Sequence, residues 1–283
     1  MFDGLPSTPP ARPDNMILQP DFHSRYGPWA VIAGASEGIG QQYAHVLAER
    51  GFNLVTLARR LEPLEKDAEL IRRRHRVEVK PCSIDLAADN LAELTAEACA
   101  GLEIGLLIYN ACYSVIGEFL DIAETDHHKM LDVNCRAPVI MTRTLAPAMI
   151  ERGRGGVILM SSMSGFQGTA MVANYAATKA WNINLAQGLW EEFRPHGVDV
   201  LACVAGATST PGFEGNTPQD KRSKAFPMPP DLVAREGLKA LGKRPLHITG
   251  RINRAVDVMG HLMTRRQRTR FFSNATRGIY GDN

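Results

Sequence analysis

Tyr175 and Lys179 stand four residues apart in Tyr175-Ala-Ala-Thr-Lys179, so on a helix they lie one above the other on a single face. That geometry suits acid/base chemistry. A free phenol, with a pKa near ~10, exchanges protons poorly at neutral pH, but a neighbouring ammonium stabilises the phenolate and draws its pKa toward the working range. The same spacing also occurs on ordinary solvated helix faces, so the chemistry depends on what the rest of the chain brings to this pair.

The elements that must position it alternate between strand and helix. An apolar run over 29–33 reads as a buried strand that stops at Gly34. The turn Gly34-Ala35-Ser36-Glu37-Gly38-Ile39-Gly40 then leads into a helix expected over 41–50. Glycines at such a junction let the backbone turn sharply and approach a pyrophosphate, while the helix N-terminus supplies amide donors and a favourable dipole. The spacing is G-x-x-x-G-x-G rather than the commoner G-x-G-x-x-G. Further strands are expected over 52–57, 77–82, 104–110, 157–160 and 198–204, with helices over 61–76, 88–100, 125–150, 175–194 and 230–241. Pro138 and Pro147 are expected to bend the 125–150 helix. This alternation implies a single α/β domain, a Rossmann-type doubly wound parallel sheet with helices on both faces.

Ligands of such sheets bind at the C-terminal strand ends. Ser161 and Ser162 close the strand at 157–160, and Asn110-Ala111 close the one before it. Asn134 falls inside a helix, where a buried amide must either satisfy bent backbone or hold a water. The exit of the second strand speaks to cofactor choice. A free ribose 2′-hydroxyl is usually met by an acid about ~20 residues beyond the glycines, a 2′-phosphate by Arg. Between 52 and 60 there is no acid, and Arg59 and Arg60 occupy the exit. Arginine early in a helix opposes its dipole, so phosphate binding explains these positions better than helix energetics do. NADP is therefore favoured over NAD, with Glu37 in the phosphate turn counting against it. Asp85, in the loop after the third strand, either positions a backbone group near an adenine or caps a helix.

Composition excludes several classes. With 283 residues and 45% hydrophobic content the chain can bury a substantial core. Thirty-two Lys+Arg against 30 Asp+Glu leave a net charge of +2, which gives no case for a nucleic-acid partner. The five cysteines are scattered and suggest neither a metal site nor a disulfide framework. No apolar run is long enough to span a bilayer, and the N-terminus is not of signal-peptide type, so a cytoplasmic location is the expectation. Residues 1–25 are Pro-rich and read as an arm or strap, 26–244 as the catalytic domain with a substrate lid at about 207–230, and 245–283 as a basic, partly helical extension.

Taken together these residues resemble the short-chain dehydrogenase/reductase family over about 26–241. Gly34, Gly38 and Gly40 match its T-G-x-x-x-G-x-G turn, Asn110-Ala111 its N-N-A-G, and Asn134, Ser162, Tyr175 and Lys179 its catalytic tetrad. The family's thirteen-residue spacing from serine to tyrosine selects Ser162 over Ser161, and strand alternation places these two serines on opposite faces. The resemblance implies that Tyr175 is the general acid in carbonyl reduction and the base in the reverse direction. Lys179 lowers its pKa and bonds the nicotinamide ribose, Ser162 stabilises the reacting oxygen, and Asn134 holds a water. Gly206, Thr208 and Thr210 match the segment that fixes the carboxamide, and no metal is required. Ala33, Tyr109, Cys112 and Ala205 depart from the family pattern. Cys112 stands where Gly is usual and is expected to be a small buried apolar residue.

Phe213, Phe226 and Met228 in the lid, with Met163, Phe166 and Met171 beside the catalytic pair, suggest an apolar substrate pocket or, equally, core. Residues 251–270 read as one basic amphipathic helix. Such a helix can lie on an anionic membrane surface, but covering a subunit or lid is the preferred reading, since the family commonly forms homodimers or homotetramers. The expected activity is NADP-dependent interconversion of a ketone and a secondary alcohol on an apolar small-molecule substrate, ring-containing or acyl. The alternatives are reduction of a β-ketoacyl thioester and, from another class, a non-catalytic NADP-binding regulatory or scaffold protein.

Overall fold

Runs such as Ala30-Val31-Ile32-Ala33 carry no polar side chain toward either face, which a strand tolerates only where both faces are covered. In the structure, a computed structural model that describes residues 22–281, they are covered. Seven parallel strands, β1 (Trp29–Ala33), β2 (Asn53–Ala58), β3 (Val79–Ser83), β4 (Ile104–Tyr109), β5 (Gly155–Ser162), β6 (Val198–Ala205) and β7 (Leu246–Ile248), form one sheet. Their order is β3-β2-β1-β4-β5-β6-β7.

Alternate residues of each strand feed two cores. On one face Ile32, Ile108, Ile158 and Leu201 meet Tyr43 and Leu47 of α2 (Gly38–Glu49), and the cluster continues to α3 (Leu61–His75) and to α10 (Pro230–Ala240). The short α1 (Phe22–Tyr26) joins it through Tyr26. On the other face Val31, Leu107, Val157 and Val200 share a core with Leu91 of α4 (Leu91–Ala98). Met141 and Met149 of α6 (Ala137–Glu151) and Ala186 of α7 (Ala173–Phe193) complete it. Each buried side chain of this size contributes about 1.5–3 kcal/mol relative to exposure. The two cores fix where every strand ends, and so where the loops that carry the chemistry begin.

Three local differences from the sequence expectation have physical reasons. The helix after the glycine turn starts at Gly38, not at 41, because Gly38 and Gly40 form its first turn. The long helix expected over 125–150 is two, α5 (Glu124–Leu131) and α6, joined by a wide π turn at Asp132–Arg136. Pro138 has no N–H to give to the carbonyl of Asn134 four residues earlier, and that carbonyl instead accepts Nδ2 of Asn182 at 2.9 Å. Pro147 lies inside α6, which runs through it.

The third difference lies at the C-terminal end. Residues 245–283, expected as an extension, supply β7, which pairs with β6. The single helix expected over 251–270 is two, α11 (Arg251–His261) and α12 (Arg265–Tyr280). Thr264 starts α12 with a capping box, its hydroxyl accepting from the Gln267 amide while the Gln267 side chain accepts from the Thr264 amide. The stretch at 207–230 holds two short helices, α8 (Pro211–Asn216) and α9 (Gln219–Arg222). The Pro-rich segment lies outside the described residues up to 21; 22–25 belong to α1. Among the described residues no helix is long and apolar enough to cross a membrane.

Candidate active site

The chain reverses direction across the sheet between β1 and β4, and a cleft of about 950 Å³ opens at the C-terminal strand ends. That is the place and the size expected of a ligand site in an open parallel sheet.

Its first wall is the glycine turn. Gly34 has φ +82°, and a Cβ on Gly40 would stand 2.0 Å from the Gly34 carbonyl oxygen, so neither position admits a side chain. Nδ2 of Asn110 donates to the same carbonyl at 3.0 Å, and the Asn110 amide donates to Ala33. The end of β4 is thereby stitched to the turn. Gly34, Ser36, Gly38, Ile39, Asn110 and Ala111 all line the cleft, with the N-terminus of α2 opening onto it. Gly40 lies behind them, in contact with the turn. The cradle fits a dinucleotide pyrophosphate: a helix start opens onto the cleft, and its glycines pack against Ala111, Thr210 and Asn110 closer than any side chain would allow.

Arg59 lies exposed at the rim of this wall and has no carboxylate partner among the described residues. Arg60 pairs with Glu37 at 2.5 Å, so the acid that counted against a 2′-phosphate is offset by its own cation. Asp85 lines the cleft and spends Oδ1 on the Ala87 amide at 3.0 Å; it caps a turn and not a helix, since α4 begins after Asn90.

The second wall carries the acid/base group. α7 presents Tyr175 and Lys179 toward the cleft, and β5 ends at Ser162 beside them. Ser161 points away and donates to the Lys179 carbonyl at 2.7 Å, as alternation requires. Ser162 lies close enough to bond Tyr175, and its Oγ accepts from the Ser164 amide at 3.2 Å. The Lys179 ammonium is buried; it donates to the Met160 carbonyl at 3.3 Å and lies 5.7 Å from the Tyr175 ring centroid. Burial pushes the Tyr175 phenol well above its ordinary value and the neighbouring Cys112 adds to the rise, while the Ser162 bond opposes it. The group that lowers it in the structure is Ser162, through its hydrogen bond, against the larger effect of desolvation.

Asn134 is fully buried. Its Oδ1 accepts from the Tyr113 amide at 2.8 Å, and its Nδ2 donates to the Tyr113 carbonyl at 2.8 Å and to Oγ1 of Thr178 at 3.1 Å. Of the two roles open to it, satisfying backbone is the one its side chain displays. It braces the loop after β4 against the turn of α7 that lies between Tyr175 and Lys179.

The remaining segment, Gly206, Thr208 and Thr210, follows β6 along the cleft. Thr208 is buried and donates to the Gly206 carbonyl at 3.1 Å, and Thr210 caps α8 by accepting from the Phe213 amide at 3.2 Å. Cys112 corrects the sequence reading: it is exposed on the cleft wall rather than buried. Of the six apolar residues suggested for a substrate pocket, only Phe213 lines the cleft. Met163 and Phe166 pack against a small core with Ile183, and Met228 against the larger one.

Sequence reasoning missed Tyr113 and Ile116 from the loop after β4, and Phe272, Ala275, Thr276, Ile279 and Tyr280 from α12. For α12 a signal existed, since Phe272, Ala275 and Ile279 recur at helical spacing. Where that helix would dock had none. Among the described residues no group of three or more His, Cys, Asp or Glu is placed to hold a metal ion.

A parallel doubly wound sheet with a glycine cradle at its switch point and a Ser-Tyr-Lys group across from it defines a nucleotide-dependent oxidoreductase class. The short-chain dehydrogenase family model matches residues 28–222, and the chain belongs to that family. It is 33% identical over 234 residues to a 7beta-hydroxysteroid dehydrogenase of Clostridium sardiniense, covering 83% of this chain and 90% of that one. It is 31% identical over 221 residues to a very-long-chain 3-oxoacyl-CoA reductase of Bos taurus, covering 76% and 69%. A solved structure of 7beta-hydroxysteroid dehydrogenase superposes with a TM-score of 0.83 at 29% identity, over 89% of this chain and 98% of that one.

Proposed function

We propose that the protein interconverts a ketone and a secondary alcohol on an apolar substrate, using NADP. The observation that carries this reading is one cleft holding the glycine cradle and Arg59 at one end and Ser162, Tyr175 and Lys179 at the other. When bound, the dinucleotide supplies or accepts the hydride. Gly34, Ser36, Gly38, Ile39 and Gly40 hold its pyrophosphate, Arg59 its 2′-phosphate, and Asn110, Ala111, Gly206, Thr208 and Thr210 its nicotinamide half, with Asp85 bordering the adenine side.

The chain's own groups handle the proton. Tyr175, a protonated phenol at neutral pH, donates to the carbonyl oxygen during reduction and takes the proton back in the reverse direction. Ser162 donates a hydrogen bond to the same oxygen and stabilises the charge that builds there. The Lys179 ammonium offsets the phenolate once the proton has left. Asn134 keeps α7 in register with the loop after β4; a water held at this turn would complete the tetrad's role.

The hydroxysteroid dehydrogenase relatives favour a ring-containing substrate, and the 3-oxoacyl-CoA reductase relative supports the second reading, a β-ketoacyl thioester. A cytoplasmic homodimer or homotetramer belongs to the proposal, supported by the exposed apolar Leu131 and Trp181 beside one shallow depression.

Consumption of NADPH and NADH with small ketones, polycyclic ketones and β-ketoacyl thioesters tests it. Tyr175→Phe should cut carbonyl reduction by about 10²–10⁴-fold with NADPH binding intact. A scaffold would tolerate that change. Arg59→Ala should weaken NADPH binding about tenfold, as loss of a charge-assisted bond to phosphate implies, and leave NADH unchanged. Equal effects on both nucleotides would remove Arg59 from the 2′-phosphate.

A further inference from the structure

A helix packed on a globular protein ordinarily turns its apolar stripe inward. α11 does the reverse. Ile252, Ala255, Val258, Met259 and Leu262 recur at helical spacing on one face, and all five are exposed, Val258 at 64% and Leu262 at 85%. The inner face is polar. Arg254 donates to the Ile248 carbonyl at 2.9 Å and pairs with Glu236 at 3.1 Å, and Asp257 pairs with Arg268 of α12 at 3.2 Å. Gly260 packs against that same Arg268. These ties hold α11 to the protein by its polar side, and its apolar side has no cover among the described residues. The stripe therefore covers no lid.

Cations frame it. Between 251 and 281 there are seven arginines and one acid, Asp257. Arg254, Arg268 and Arg277 are spent on Glu236, Asp257 and Glu118. Arg251, Arg265, Arg266 and Arg270 are exposed and have no carboxylate partner among the described residues. Arg251 opens the stripe, and Arg265 and Arg266 follow Leu262 within four residues. In the first turn of α12, with no acid beside them, these two oppose the helix dipole, so helix energetics do not account for them. An exposed apolar strip rimmed by uncompensated arginines has the chemistry of an interfacial helix: acyl chains take the strip, and anionic headgroups take the guanidiniums. A second copy of the chain is the poorer occupant. A two-fold contact sets a patch against itself, which would bring the like charges of both copies together.

We propose that the outer face of α11, with the start of α12, docks the protein on an anionic lipid surface. The helix lies in the plane of the headgroups, with Val258 and Leu262 at the acyl boundary and Arg251, Arg265 and Arg266 on the phosphates. Docking is peripheral, since no described helix is long and apolar enough to cross a membrane. It stands apart from whichever reaction the cleft performs.

The test is co-sedimentation of the full chain with phosphatidylcholine vesicles, made with and without phosphatidylserine. Wild type should bind the phosphatidylserine vesicles at low salt, and lose most of that binding at high salt or on phosphatidylcholine alone. Val258→Asn with Leu262→Asn should weaken binding at least about tenfold, and Arg265→Gln with Arg266→Gln roughly tenfold. All four residues are exposed and outside the cleft, so the thermal midpoints should match wild type. Emission from Leu262→Trp should shift to the blue on vesicles and be quenched by brominated acyl chains. Wild-type protein that binds neither vesicle, or double variants that both bind as wild type does, overturns the proposal. So does Leu262→Trp emission that vesicles leave unchanged. A smaller sedimenting mass for Val258→Asn with Leu262→Asn in lipid-free buffer would give the face to a second copy and overturn it as well.

Discussion

Around Asn134 and the glycine turn, the cleft is held by buried polar atoms paired with backbone, whereas α12 across from it is held by one exposed ion pair, one largely buried pair between Arg268 and Asp257, and a few side-chain hydrogen bonds. Asn134 makes three side-chain hydrogen bonds at full burial. Arg277 and Glu118, which pin α12, are each more than half exposed. The first wall leaves no tolerance for change, since any lost partner strands a buried group. The second is fastened in part by contacts that water can replace, as at Arg277 and Glu118. The proposed cofactor groups and the α7 turn that carries the proposed acid/base pair are thus braced by buried hydrogen bonds, while Arg277 on α12 is held at the surface.

The largest expected break in this contrast is Asn134→Ala. It strands the Tyr113 amide and carbonyl, and should cost about 3 kcal/mol. For a chain of this size that lowers the thermal midpoint by roughly 6–12 °C. A drop of a degree or two would mean that the loop after β4 re-pairs easily, and the contrast would weaken.

Glu236 tests the joint from which the C-terminal helices leave the sheet. It accepts from His247 at 2.9 Å, from the Gly250 amide at 3.2 Å and from Arg254 at 3.1 Å. Burial alone would raise its pKa, but these donors hold it below the ordinary 4.5. A carboxylate depressed in the folded state stabilises fully above its unfolded pKa and loses that contribution as pH falls through the folded value. Glu236→Gln should thus cost about 1 kcal/mol at pH 7, and its midpoint should converge with wild type as pH falls from 4.5 through the depressed folded value. A gap that widens on acidification would reverse the sign.

Arg277→Ala should matter least, with about 0.5 kcal/mol or less lost on thermal unfolding. A loss comparable to that of Asn134→Ala would show that α12 is as integral to the fold as the glycine turn.

How much was legible follows the same division. β1, β4 and β6 read cleanly because strands buried on both faces need unbroken apolar runs. Tyr175, Lys179 and Ser162 stood out because helix and strand periodicity fix their relative faces locally. β7 was missed: three residues, Leu246–Ile248, are too short to show a period, and only the open edge of β6 makes them a strand. The break between α11 and α12 had a local signal in Thr264 and Gln267 that the run of arginines obscured. Met163 and Phe166 were placed near the substrate by proximity in sequence, yet they turn into a core, a choice that packing makes.

The sequence by itself determined the sheet class, the glycine cradle and the acid/base group, because each depends on local spacing and on side-chain chemistry within one turn or strand. Only the tertiary structure decided that burial lifts the Tyr175 phenol and that Arg60 offsets Glu37. It also decided that a helix about a hundred residues beyond Tyr175 closes the cleft over it. Electrostatics and enclosure act through space, between groups whose separation along the chain carries no record of their distance.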